Sequence, residues 1–313
     1  MKTMNVLFIV AVSSYLPGTT MGVGWTYHDI PAWGTHYPQC KGQHQSPIDI
    51  KHDDAVVDKK LGEFRHALFD VPSQSMLIKN NGHSLQIDLT NGYSINDRSL
   101  LPGQFKAVQF HFHWAAPNAK GSEHLINGNQ YWGELHIVHY NTKYPDVGTA
   151  ANKSDGLAVL GFFIKDDYPQ DNTAVKRILD PVAAGQINYD TENKTYATSF
   201  SLETFLPNNL TVYYRYQGSL TTPGCYESVV WTIFNQPIRI SRIQANVFEK
   251  MVFESKRNAS NPVRINGNFR PFQALNGRTV SRSTYCSGAG SFSMPIFHFI
   301  ALCATVVGLI IVR

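Results

Sequence analysis

The stretch AVQFHFHW (107–114) alternates large apolar residues with polar ones at a period of two, and a chain built from such runs must make sheet. Successive side chains of a strand face opposite ways. Gln109, His111 and His113 therefore share one face, and Phe110, Phe112 and Trp114 share the other, which reads as core. Similar short runs recur: SLQIDL (84–89), ELHIVHY (134–140), LAVLGFFI (157–164) and YYRYQGSL (213–220). Gly, Asn, Asp and Pro bound them, which is strand punctuation. TAVKRILDPVAAG (173–185) and ISRIQANVFEKMVF (240–253) carry helical spacing instead. No repeat, low-complexity segment or linker interrupts residues 25–285. The expected class is mainly β (α+β), one domain with a few surface helices.

The two ends predict where that domain works. Lys2 precedes the apolar run Val6–Val12, and small or polar residues follow to about Gly24. Residues 1–22 fit a secretory signal peptide, leaving 23–285 as the domain. In 286–313, small residues Ser287, Gly288 and Ala289 precede a nine-residue spacer and the apolar run Phe299–Val312. That is the layout of a GPI-attachment signal, with Ser287 and Gly288 as candidate sites. The alternative is a membrane span over Met294–Val312, but only Arg313 follows it. Either reading puts the domain on the outer side of a membrane. Four N-x-[ST] sequons, at Asn152, Asn193, Asn209 and Asn258, agree as glycosylation candidates. Cys303 lies in the tail. Cys40, Cys225 and Cys286 remain, which allows one disulfide and one leftover, and spacing does not choose the pair. Net charge is only +4 with no Lys/Arg run, so nucleic acid is excluded as a partner. Apolar and aromatic residues run throughout, which excludes disorder.

The chemistry sits in the strands. In ELHIVHY, Glu134, His136 and Val138 share a face. If this run neighbours QFHFHW, three imidazoles converge, and zinc takes three histidines with a fourth position open. Glu134 and Gln109 could each fix a ligand ring through its second nitrogen. His28, His44, His52 and His66 read as surface or satisfied polar histidines. Spacing alone leaves a metal site and an ordinary set of histidines both open.

QFHFHW, GSEH (121–124) and ELHIVHYNTKY resemble the alpha-class carbonic anhydrases. So do QSPIDI (45–50), NNGHSLQIDL (80–89), LAVLGFF (157–163), SLTTPGCYESVVW (219–231) and NFRPFQALNGR (268–278). These motifs span about residues 25 to 280 in matching order, and the extracellular GPI-anchored members are the nearest in layout. The resemblance implies a single domain around a large, twisted, mostly antiparallel central sheet, with zinc at the bottom of a conical cleft. It implies reversible hydration of carbon dioxide to bicarbonate and a proton, through zinc-activated water. The pKa near 7 of such water is this family's own reference value, not a quantity read from these residues.

Carried over, the resemblance makes His111, His113 and His136 the zinc ligands, backed by Gln109, Glu134 and His124. Thr221 would orient the nucleophile by donating to an ionised Glu123, and Thr222 would contact bicarbonate or water. Val138, Val159, Leu220, Val229 and Trp231 would form the apolar substrate wall. His83 would shuttle the proton, through waters lined by Tyr27, Asn81 and Gln86. Cys40 and Cys225 would pair, leaving Cys286 unexplained. Sulfonamides and anions are the expected inhibitors, and a lipid anchor the expected membrane link. Oligomeric state is not legible. Ala115, Tyr140 and Gly224 depart from the usual pattern without removing a ligand. Two other classes fit less well. A silent binding module of this fold would have lost the histidines present here. A zinc hydrolase of another kind lacks support, since no H-E-x-x-H or G-x-S-x-G element occurs.

Overall fold

The computed structural model describes residues 24–284, apart from 63, 65, 68, 73–75, 91, 97–100, 190–195 and 257–258. Both terminal segments, with Ser287, Gly288, Cys286 and Cys303, lie outside the described residues, as do Asn193 and Asn258.

The strands, in chain order, begin with β1 (Asp49–Ile50), β2 (Val56–Val57), β3 (His66–Ala67), β4 (Met76–Asn80) and β5 (Leu85–Leu89). Next come β6 (Ser94–Ile95), β7 (Phe105–Trp114), β8 (Leu125–Ile126), β9 (Gly133–Asn141) and β10 (Leu157–Tyr168). β11 (Tyr196–Thr198), β12 (Tyr213–Gly218), β13 (Val229–Ser241) and β14 (Ser281–Arg282) complete the set. Among the described residues four α-helices accompany them: α1 (Ile30–His36), α2 (Val147–Ala150), α3 (Thr173–Ala183) and α4 (Arg242–Met251).

Twelve strands form one sheet, ordered β11-β4-β5-β7-β9-β10-β13-β12-β14-β2, with β3 and β6 attached beside β7. Most neighbours are antiparallel, as expected, but β10–β13 and β14–β2 run parallel, so the sheet is mixed. Each run predicted as strand is strand, and both predicted helices are helices. α4 starts on a reciprocal cap: Ser241 Oγ accepts from Gln244 N, and the Gln244 side chain accepts from Ser241 N. Asn172 caps α3 by accepting from Ala174 N and Val175 N.

The sheet's two faces bury two cores. Phe110, Phe112, Trp114, Leu135, Ile137, Leu160 and Phe162 join the helices' apolar faces in the larger one. Val138, Val159, Tyr216, Val229 and Trp231 belong to the smaller. The register between β7 and β9 slips at Val108, because Ala107 pairs with His139 while Gln109 pairs with Val138. One extra residue there is a bulge. It puts Phe105 and Ala107 in the same core as Phe110 and Phe112, while Gln109 turns to the other face.

Candidate functional site

The bulge and the pairing beyond it bring the histidines together. His111 pairs directly with His136, and His113 with Glu134. On the far side of β9, His136 pairs with Gly161 of β10. A Cβ at Gly161 would stand 2.6 Å from Ile233 Cδ1 and 3.2 Å from Glu134 Oε1, so a side chain there would crowd Glu134 in its place under His136. Ring centres lie 4.9 Å apart for His111–His113, 5.4 Å for His111–His136 and 4.5 Å for His113–His136. One ring nitrogen from each lies within 4.8 Å of the others.

Each of the three rings spends its other nitrogen on a fixed acceptor. His111 Nδ1 donates to Gln109 Oε1 at 2.9 Å, and His136 Nε2 donates to Glu134 Oε1 at 2.7 Å. His113 Nδ1 donates to the Asn268 carbonyl at 2.6 Å. These bonds fix the tautomers and leave Nε2 of His111, Nε2 of His113 and Nδ1 of His136 to face one another. His113 Nε2 is buried with no hydrogen-bond partner among the described residues. Burial, followed by mutual repulsion, holds His111 well below its ordinary pKa and His113 at about 3. Burial also lowers His136. All three are neutral at physiological pH, which is the form a metal needs.

Glu134 is the hub behind them. Its carboxylate takes His136 Nε2, His124 Nδ1 at 2.7 Å and the His124 backbone N–H at 2.7 Å. Burial works to raise its pKa, but His124 and His136 win and hold it well below the carboxylate range. His124 Nε2 reaches the Tyr216 hydroxyl at 2.6 Å, which in turn meets Ser46 Oγ at 2.8 Å. His124 thus stands behind His136, joined to it through Glu134. It also shares a second possible metal-ligand set with Glu134 and His136, but there the hydrogen bonds already use the facing atoms.

Glu123 is fully buried, and its Oε1 accepts from the Arg270 N–H at 2.8 Å. Burial raises its pKa well above the usual range, against the pull of Arg270 and the Thr221 hydroxyl. Its Oε2 lacks a partner of full hydrogen-bond geometry among the described residues. The role expected of Thr221 needs this carboxylate ionised; the protein alone pushes the other way.

His111 and His136 of the triad line a cleft whose space, counted out into its open mouth, is about 610 Å³. Tyr27, Asn81, His83, Gln86, Gln109, Val138, Val159, Leu220, Thr221, Thr222 and Trp231 line it. Val229 is a correction: it is wholly buried in the core behind the wall and does not line the cleft. Its β13 neighbour Trp231 takes the surface in its place. His83 stacks flat on Trp25, ring centres 3.8 Å apart. Burial there lowers its pKa to about 4, with Glu254 pulling upward. Burial, then the Glu123 charge, keeps the Tyr27 phenol neutral. Cys40 and Cys225 are bonded, joining positions 185 residues apart. The bridge packs with Trp33, Trp25 and Tyr27 beside the 219–226 loop.

Sequence reasoning passed over Trp25, Tyr216, Ser46, Asn268 and Arg270. The last four act through contacts that span 92 to 170 residues, two of them through backbone atoms, and such contacts leave no local pattern. Trp25 sits in an aromatic-rich start, GWTYHDIPAW, which was a usable signal.

A mainly β protein with three inward imidazoles under an apolar-walled cleft presents a donor set able to hold a metal ion. Residues 28–284 match the family model described as eukaryotic-type carbonic anhydrase. The chain is also 35% identical over 306 residues to human carbonic anhydrase 12, covering 95% of this chain and 84% of the human protein. The chain therefore belongs to the eukaryotic-type carbonic anhydrase family, and its activity is the carbonate dehydratase reaction, reversible hydration of carbon dioxide.

Proposed function

We propose that one zinc ion held by His111, His113 and His136 serves this reaction, with His83 carrying the proton away, at the outer cell surface. The observation that carries the reading is the accounting of imidazole nitrogens. Three are tied to Gln109, Asn268 and Glu134, and the other three converge within 4.8 Å of one another, His113 Nε2 buried with no partner among the described residues and His136 Nδ1 3.7 Å from Glu123 Oε2. An all-nitrogen, three-donor set with neutral rings suits zinc. When bound, zinc supplies the positive charge that makes a water acidic enough to act as nucleophile near neutral pH.

The protein's residues do the rest. Glu123 takes the Arg270 N–H on one oxygen, which leaves the other for the Thr221 hydroxyl. Once Thr221 donates there, its oxygen can only accept, and it turns the nucleophile's proton away from the substrate. A divalent charge among the rings opposes the effect of burial on Glu123 and favours the ionised form this requires. Val138, Val159, Leu220 and Trp231 offer an uncharged linear molecule a dry place beside the polar floor. Thr222 stands on the same wall for bicarbonate. His83 then accepts a proton through cleft water. Against Trp25 it is too desolvated to hold one at neutral pH, so the relay needs its ring better hydrated than in the stack.

Sulfonamide and anion inhibitors fit the same floor. The Cys40–Cys225 bond supports an oxidising compartment. Asn152 and Asn209 are exposed, as sugar attachment requires. Residues 286–313 would provide the lipid anchor, and release by phosphatidylinositol-specific phospholipase C tests it. The central test is the purified domain's zinc content and its sulfonamide-sensitive hydration. His111→Ala/His113→Ala should lose both; full activity without bound metal would sink the reading.

A further inference from the structure

A buried ion pair lies one strand away from the proton path. Lys79 Nζ meets Asp88 Oδ2 at 2.7 Å, with side chains only 8% and 12% exposed. Asp88 Oδ1 accepts from Gln86 Nε2 at 2.6 Å, and Gln86 Oε1 accepts from Asn81 Nδ2 at 3.0 Å. Asn81 Oδ1 then accepts from the backbone N–H groups of His83 at 2.9 Å and Ser84 at 2.8 Å. A continuous chain of hydrogen bonds thus runs from a buried cation to the turn that carries His83.

The chain has only one consistent polarity. An ammonium and a backbone N–H can only donate, and a carboxylate can only accept. Asp88 must accept on both oxygens, so Gln86 must show it the amide nitrogen. The Gln86 carbonyl is then left for Asn81, whose own carbonyl is left for the turn. That turn is tight: Gly82 has φ +83°, and a Cβ there would meet the Tyr189 ring at 2.7 Å. Gln86 and Asn81 also line the cleft, so their orientation sets which polar atoms face its water.

We infer that the Lys79–Asp88 ion pair is a positioning device for proton transfer, locking Gln86 and Asn81 and thereby the His83 turn. This rests on the proposal that His83 carries the proton. Among the described residues no hydrogen bond joins Lys79 or Asp88 to the triad or the apolar wall, although Asp88 pairs in register with Gln109 across β5 and β7. Proton removal follows product release, so the pair should act on kcat in weak buffer and not on kcat/KM.

Asp88→Asn is the sharp variant. It is isosteric, but Lys79 and Gln86 bond different oxygens of Asp88 and the amide puts a donating NH2 in place of one of them, so one of the two donors loses its acceptor. Lys79→Met/Asp88→Asn removes the competing donor and leaves the new carbonyl to serve Gln86 alone. In stopped-flow hydration with the zinc-loaded domain, Asp88→Asn should lower kcat in weak buffer about three- to tenfold. Its kcat/KM should stay within about twofold, small imidazole buffers should restore kcat, and the double variant should recover it. Gln86→Leu cuts the chain without leaving a buried charge unpaired, and should show the same kcat-only loss if Asp88→Asn folds poorly. An unchanged kcat in Gln86→Leu or Asp88→Asn, an equal fall in kcat and kcat/KM, or a double variant as slow as the single overturns the inference. His83→Ala separates the two levels. If it leaves weak-buffer turnover intact, the shuttle reading falls and takes this inference with it. If it slows turnover and Asp88→Asn does not, only the role of the ion pair is lost.

Discussion

The Asn268 carbonyl holds the Nδ1 proton of His113 at 2.6 Å, while the Asn268 side chain ties together three points of the chain. Its Nδ2 donates to the carbonyls of His83 and Phe112, and its Oδ1 accepts from Trp114 N. One fully buried residue therefore links the His113 ring, the strand beneath it and the turn that bears His83. Asn268→Ala strips the Trp114 N–H and the His83 carbonyl of this partner, while the Phe112 carbonyl keeps Ser84 Oγ. The expected cost is about 2–4 kcal/mol in chemical denaturation, with weaker zinc retention against a chelator.

Glu134 fixes the tautomer of His136 and is charged. Glu134→Gln keeps the shape but offers one oxygen to two histidine rings and a backbone N–H. Zinc affinity should fall by about 10–100-fold in competition with a chromophoric chelator, with the fold intact by circular dichroism. Unchanged affinity would mean that His136 is oriented by packing alone.

The depressed pKa of His83, about 4, comes first from burial, and Trp25 supplies the stacked ring. Trp25→Ala opens that face to water. The His83 pKa in the variant, read by NMR titration, should rise toward its ordinary value near 6.5. A value that stays near 4 would place the desolvation elsewhere.

His139 lies wholly buried away from the triad's face, with Nδ1 on the Ile137 carbonyl at 3.0 Å. Burial lowers its pKa to about 4, against 6.5 in an unfolded chain. Between those values the unfolded state binds the extra proton, so stability is full above pH 6.5 and drains as pH falls toward 4. The full loss is about 3 kcal/mol below pH 4. In denaturant titrations from pH 7.5 to 4, His139→Gln should show a shallower decline than the parent.

The Cys40–Cys225 bond closes a loop spanning 185 residues and steadies the segment after Thr221. Cys225 N donates to the Thr222 carbonyl, and Gln45 Nε2 to the Cys225 carbonyl. Cys40→Ser/Cys225→Ser should lose about 2–5 kcal/mol of stability. Because Thr221 and Thr222 share that segment, hydration should fall as well, while zinc content stays.

Alternation in QFHFHW and ELHIVHY determined which side chains share a face, because a strand gives no other choice. It placed Gln109 with His111 and His113, and Glu134 with His136, and left their chemistry open; family likeness supplied their reading as a ligand trio with its backing residues, along with Glu123, Thr221, His83 and the cysteine pair. Tertiary structure decided what has no local signature. The Val108 bulge turns Gln109 into the cleft, and Gly161 makes room for Glu134. Backbone groups of Asn268 and Arg270, brought back 155 and 147 residues from their partners, finish the polar shell. It also set Val229 behind the wall that Trp231 presents, and joined Lys79 to the His83 turn. A sequence states the direction a side chain takes from its own strand; only the folded sheet states what lies there to meet it.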